Sequence, residues 1–157
     1  MKVTRYVAVR AGLEDLEKIV PLFDGYRIFY RQESDRERVR AFLEERLNKQ
    51  ESVIFLAVEQ EEEGGAGRAV GFTQLYPSFS SVTMQRLWIL NDLYVSEEAR
   101  GSGAGAVLME AARAYAQETG TKGLTLTTWT DNFTAQRLYE KQGYIRDDEF
   151  YSYNLFF

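Results

Sequence analysis

The segment Arg100-Gly101-Ser102-Gly103-Ala104-Gly105 constrains this chain more than any other. It follows the strand-forming run Gln85 to Val95. It opens a run with Leu108, Ala111, Ala112 and Tyr115 at helical spacing. Glycine lets a backbone turn tightly and leaves its N–H groups uncovered. The first turn of a helix carries unpaired N–H groups, and its dipole favours an anion. Strand, glycine turn and helix in this order predict a phosphate cradle, with Arg100 as a positive charge at its mouth. A glycine turn that merely packs is the other reading. The G-x-G-x-G spacing departs from the G-x-G-x-x-G of a dinucleotide site, and no Gly-Lys-Ser/Thr follows for a Walker loop.

Around this segment the pattern alternates between strand and helix. Thr4 to Arg10 reads as a strand. Leu13 to about Tyr26 has helical spacing, with Pro21 expected to bend or break it. Ser34 to Glu37 matches a capping box ahead of a helix carrying Val39, Phe42, Leu43 and Leu47. Val53 to Val58 and Ala69 to Tyr76 read as strands joined through a solvated Glu61 to Gly65 loop, and Pro77 to Thr83 reads as a Ser-rich loop. Leu124 to Thr128 is expected as a strand. Asp131 or Asn132 is expected to cap a helix that stops at Gly143, and Phe150 to Phe157 to form a last strand.

Composition narrows the chemistry. The 157 residues contain no Cys and no His. Thiolate nucleophiles, disulfides, thiolate or imidazole metal sites and a Ser-His-Asp triad are therefore excluded. Carboxylates, Tyr, Ser/Thr, Lys/Arg and backbone groups remain, and no metal site is expected. Acidic residues outnumber basic ones by 24 to 19, for a net charge of -5. That balance argues against nucleic acid as a partner. No apolar run is long enough to span a membrane, and the N-terminal residues lack a signal-peptide core. A single domain over residues 1–157 and a cytoplasmic location are expected.

Two stretches together resemble a known family. Leu93-Tyr94-Val95, a spacer, then Arg100 to Gly105 resembles the acetyl-coenzyme A motif R-x-x-G-x-G/A of the GNAT superfamily of N-acetyltransferases. Asn132-Phe133-Thr134-Ala135-Gln136-Arg137-Leu138-Tyr139-Glu140-Lys141-Gln142-Gly143-Tyr144 resembles its second motif, N-x-x-A-x-x-L-Y-x-x-x-G-F/Y. The family often has Pro where Glu97 stands. The resemblance implies an α/β fold, GNAT-like: a mixed, mostly antiparallel central sheet, helices on both faces, and a splayed fourth and fifth strand pair. It implies direct transfer of an acetyl group from acetyl-CoA to an amine, and a homodimer. Tyr26 to Gln32, Asn91-Asp92 and Trp129 to Asn132 resemble the branch that acetylates small amines, polyamines, histone tails or D-amino acids.

The roles implied by this resemblance fall on named residues. The amides of Gly101, Ser102, Gly103, Ala104, Gly105 and Ala106, with Arg100, would hold the pyrophosphate. Leu93, Tyr94 and Val95 would pair with the pantetheine arm as an added strand would. Asn132 and Ala135 would border that arm. Tyr139 matches the proton donor to the leaving thiolate; a phenol of ordinary pKa about 10 keeps its proton at neutral pH. Asp92 is the first candidate for the base or ammonium anchor, with Glu33 and Asp131 as alternatives. Phe29, Tyr30, Tyr76 and Trp129, with Tyr26, could wall a cationic amine. A small-molecule primary amine is the leading substrate class. A protein or peptide acetyltransferase and a non-catalytic CoA-binding module are the alternatives.

Overall fold

The computed structural model describes residues 4–61 and 64–157. The expected loop at Glu61 to Gly65 thus lies partly outside the described residues. By its contacts the chain divides into two units, Met1–Thr127 and Thr128–Phe157.

The first unit is built on one five-stranded sheet in the order β1-β2-β3-β4-β5. The strands are β1 (Tyr6–Ala11), β2 (Val53–Gln60), β3 (Ala66–Ser80), β4 (Gln85–Val95) and β5 (Leu124–Thr125). The first three pairings are antiparallel, and β4 pairs with β5 in parallel. Strand side chains alternate between faces, so each strand feeds two cores. On one face, α1 (Leu16–Phe29) and α2 (Arg36–Asn48) pack Ile19, Phe23, Val39 and Leu43 against Ile54, Leu56 and Phe72. On the other, α3 (Ala104–Glu118) packs Ala104 and Leu108 against Ala57 and Val70. A fully buried aliphatic or aromatic side chain of this kind contributes about 1.5–3 kcal/mol. The mixed, mostly antiparallel sheet with helices on both faces is the architecture expected. Among the described residues no helix is long and apolar enough to cross a membrane.

Several local expectations are corrected by tertiary contacts. Pro21 does not break α1, which runs on to Phe29. Proline removes one backbone donor, and the burial of Ile19, Val20, Leu22 and Phe23 around it keeps the helix in place. The Ser34–Glu37 capping box does not form. Asp35 caps α2 instead, accepting from the Arg38 amide at 3.1 Å. The Ser34 hydroxyl is engaged elsewhere: it donates to Asp24 of α1 at 2.6 Å. The expected Pro77 to Thr83 loop belongs mostly to β3, which continues to Ser80 opposite β4. Pairing of β2 with β3 ends at Val53 and Leu75, so this extension has an open edge where proline is tolerated.

Asp24 links α1 to the start of α2. Its side chain is 2 % exposed and accepts from Ser34 Oγ and from the Asp35 amide at 2.8 Å. Burial pushes its carboxyl up, but these two hydrogen bonds and the nearby Arg36 and Arg27 hold it below the ordinary carboxylate value. Its stabilising contribution is present above the unfolded-state pKa and is lost as pH falls through the folded-state value. Asp24→Ala is expected to cost about 3 kcal/mol at neutral pH. Urea melts of both proteins should show the gap narrowing below pH 4.

The second unit contains α4 (Phe133–Lys141). Of the two candidate caps it is Asn132 that accepts, from the Ala135 amide at 3.4 Å. Residues Phe150 to Phe157 form no strand, against expectation. Aromatic and apolar residues favour strands only when a neighbouring strand offers hydrogen bonds, and no pairing reaches this segment among the described residues.

Candidate active site

The centre of the first unit's site is a bulge in β4. Gln74 pairs with Asp92, but the next pair is Leu75 with Leu90, so Asn91 is the extra residue. A bulge bends its strand and re-aims side chains. Here Asp92 is turned into the face shared with α1 and is 4 % exposed. Gln74 Nε2 donates to Asp92 Oδ2 at 2.7 Å, and Asn91 Nδ2 to Oδ1 at 3.1 Å. Thr73 Oγ1 secures the Asp92 carbonyl at 2.8 Å, and Tyr26 Oη donates to the Asn91 carbonyl at 3.4 Å.

The electrostatics follow from this burial. Loss of solvent pushes the Asp92 carboxyl above its ordinary value, and hydrogen bonds from Gln74, Tyr26 and Asn91 offset only part of the rise. The phenols of Tyr30 and Tyr76 are pushed up, first by burial and then by the Asp92 charge. The site therefore presents one unusually basic carboxylate among phenols that keep their protons. The Tyr26 and Tyr30 rings are tilted against each other with centroids 4.9 Å apart, and Phe29 meets Tyr30 edge-on at 5.3 Å. Glu33 is exposed in the loop between α1 and α2, where its carbonyl accepts from Arg27 at 2.9 Å.

Along the same strand β4 and β5 part. Their pairing consists of Trp88 with Leu124 and Ile89 with Thr125. The rest of β4, including Leu93, Tyr94 and Val95, pairs with β3 on one side, and among the described residues no strand pairs with its other edge, where the Val95 carbonyl accepts from Arg100. Leu93 and Val95 pack toward α3, while the Tyr94 ring packs with Tyr26 and Phe72 on the α1 face. The splay comes from the short β5, which also cuts the expected Leu124 to Thr128 strand to two residues.

The glycine turn lies at the end of β4. Gly101 (φ 75°) and Gly103 (φ 96°) are both left-handed, and Gly103 is the N-cap of α3. A side-chain Cβ at either would meet no atom within 4 Å, so the space above the turn is open. The first amide to bond back into α3 is that of Val107, to the Gly103 carbonyl. The amides of Ala104, Gly105 and Ala106 precede it and form the donor-rich first turn. Ser102 Oγ donates to the Ala99 carbonyl and closes the turn. Arg100 Nε donates to the Val95 carbonyl at 3.0 Å, and its guanidinium lies 5.6 Å from the Phe29 ring and 5.7 Å from that of Tyr94. This positive group is fixed before any ligand arrives. Open space, unpaired donors and a fixed cation together fit a diphosphate.

A family model described as the acetyltransferase (GNAT) family matches residues 18–144. The chain belongs to the GNAT family. GNAT proteins are acyltransferases, and this chain is an acetyltransferase. An uncharacterized N-acetyltransferase of Bacillus subtilis, YhfO, is 49% identical over 146 residues, covering 93% of this chain and 94% of that one. The D-amino-acid N-acetyltransferase HPA3 of Saccharomyces cerevisiae is 36% identical over 88 residues, 56% of this chain and 55% of its own length. A crystal structure of a probable acetyltransferase superposes with a TM-score of 0.88 at 46% identity, covering 96% of this chain and 97% of the other.

The sequence-derived GNAT candidates divide between the two units. Tyr30, Tyr76 and Asp92 share one electrostatic neighbourhood in the first unit, and Phe29 flanks it against Arg100. Trp129, Asp131, Asn132, Ala135 and Tyr139 belong to the second unit. There Gln136 Nε2 donates to the Trp129 and Thr130 carbonyls, and Tyr139 packs against Tyr144 at 6.1 Å. Trp129 is 43% exposed, Asp131 is exposed, and Tyr139 is half-buried. Sequence reasoning missed Gln74. A glutamine in a strand reads as an outward polar residue; only the register with Asp92 reveals its place.

Proposed function

We propose that this chain, as one domain over residues 1–157, transfers the acetyl group of acetyl-CoA directly to a primary amine of a small molecule. The observation that carries this reading is the buried, solvent-deprived Asp92 at the β4 bulge, next to an open strand edge and a diphosphate-shaped turn. HPA3, named for acetylation of D-amino acids, supports a small amine as acceptor.

Bound acetyl-CoA supplies an acetyl group activated as a thioester. The amides of the α3 first turn and Arg100 hold its diphosphate. The open edge of β4 at Leu93 to Val95 pairs with the amide-bearing arm and points a backbone N–H at the carbonyl that takes up charge. Asn132 and Ala135 border the arm. An alkylammonium of ordinary pKa is only about one part in a few thousand neutral at pH 7, a barrier of roughly 4–5 kcal/mol. Asp92 lowers it by drawing in the ammonium and accepting its proton, directly or through water. The nitrogen then bonds to the acetyl carbon as the carbon–sulfur bond breaks, Tyr139 delivers a proton to the sulfur, and the second proton shed by the nitrogen passes through water to restore the phenol. Phe29, Tyr30 and Tyr76 wall the amine with ring faces, and the family resemblance assigns Trp129 to the same substrate. Glu33 and Asp131 are the alternative carboxylates for the base.

Thiol release is the test, with polyamines, amino acids of both hands, aminoglycosides and basic peptides as acceptors. Turnover of a small primary amine is expected; turnover of peptides alone would overturn the reading. In the same assay Asp92→Asn should lower kcat/KM by roughly a hundredfold. The wild-type kcat/KM should rise with pH through a midpoint above the usual carboxylate range, because burial raises Asp92 and the ionised form is the one that works. That limb should vanish in the variant.

A further inference from the structure

We propose that Gln74 determines acceptor specificity: its Oε1, together with the Asp92 carboxyl group, accepts the two N–H bonds of a neutral primary amine and so selects primary over secondary amines. The inference rests on the amine-acetyltransferase reading above and adds to it a residue and a selection rule.

Gln74 is fully buried on β3, directly opposite Asp92. Its Nε2 donates to Asp92 Oδ2 at 2.7 Å, which fixes the amide with its nitrogen toward the carboxylate. Its Oε1 is buried and has no hydrogen-bond partner. A buried amide oxygen without a donor is costly, and beside the Asp92 carboxyl an N–H of the acceptor would satisfy it. The neighbouring groups sharpen the choice. Asp92 is an acceptor, so a ligand serving both must carry two hydrogens on one atom or on adjacent atoms. A carboxylate attracts a cation, which makes that ligand an ammonium in its resting form.

Proton counting then sets the selection. A primary ammonium has three N–H bonds. After one proton leaves, two N–H bonds and a lone pair remain. The departing proton passes through water to one Asp92 oxygen; the other Asp92 oxygen and Gln74 Oε1 hold the two that remain, and the lone pair is left to attack. A secondary amine at the same stage has one N–H, so one buried acceptor stays unpaired. Asp92 itself is only 4 % exposed. An amine that reaches it has left bulk water and cannot find substitute partners there.

The test uses the full-length enzyme, acetyl-CoA, the best primary amine of the panel and its N-methyl derivative. Wild type should favour the primary amine by at least about tenfold in kcat/KM. Gln74→Met keeps the length of the side chain and removes the acceptor. It also removes the Nε2 donor to Asp92, so both amines should lose kcat/KM, the primary amine by roughly tenfold more than its N-methyl derivative, with the KM for acetyl-CoA as it was. Gln74→Glu keeps an acceptor in the same place. It should retain the preference for the primary amine and move the pH profile to higher pH, because two adjacent carboxyls resist double ionisation. If Gln74→Met folds poorly, the glutamate variant decides alone. Equal losses for both amines in Gln74→Met, or collapse of the preference in Gln74→Glu, would overturn the role of Gln74 while leaving the acetyltransferase reading intact. A wild type that acetylates no amine in the panel overturns both.

Discussion

Tyr139→Phe should reduce turnover at saturating acetyl-CoA and amine by at least about a hundredfold. Binding of CoA, followed by calorimetry or by thermal shift, should change by less than about twofold. The reason is the state of the leaving group. A thiolate departing from carbon carries a full charge, and a phenol supplies its proton without first being charged. Phenylalanine keeps the ring that packs against Tyr144 at 6.1 Å. The α4 helix and its Asn132 cap are untouched. A variant with normal turnover would remove Tyr139 from the chemistry. A variant that lost turnover and CoA binding together would make it a packing residue of the second unit.

Gly103→Val should weaken CoA binding by more than tenfold. Gly103 has φ 96° and caps α3, a conformation that a β-branched residue adopts only under strain of about 1–3 kcal/mol. Relief of that strain rotates the peptides whose amides form the anion site. Gly120→Val provides the comparison. It lies just beyond the other end of α3 with φ 69°, and a Cβ there also meets nothing within 4 Å. Both variants should lose comparable stability in denaturant melts. Only Gly103→Val should lose the ligand. Equal retention of CoA by the two variants would place the phosphates elsewhere.

The parts of this molecule legible in its sequence are those whose physics is local. The glycine turn was readable because left-handed φ values at 101 and 103 demand residues without a Cβ. The run Gln85 to Val95 coincides with β4 because strand formers fill it and turns bound it. Where a distant group competes, the local signal misleads. Ser34 looked like a cap, but Asp24 holds its hydroxyl and Asp35 takes the position. Pro77 looked like a loop, but it stands opposite Trp88 in a two-stranded extension with a free edge. The bulge that turns Asp92 inward arises from the register between two strands, and no single strand reveals it. Asp92 was legible as a candidate through its place in a motif. Gln74 had no such context, and its significance exists only in three dimensions.

Main-chain amides at the start of α3, with Arg100, are expected to grip the diphosphate of acetyl-CoA. A crystal structure of the CoA complex tests it most directly. Diphosphate oxygens within about 2.7–3.2 Å of the amides between Ser102 and Ala106 are the predicted result. Well-ordered CoA with its diphosphate away from that turn would contradict the account.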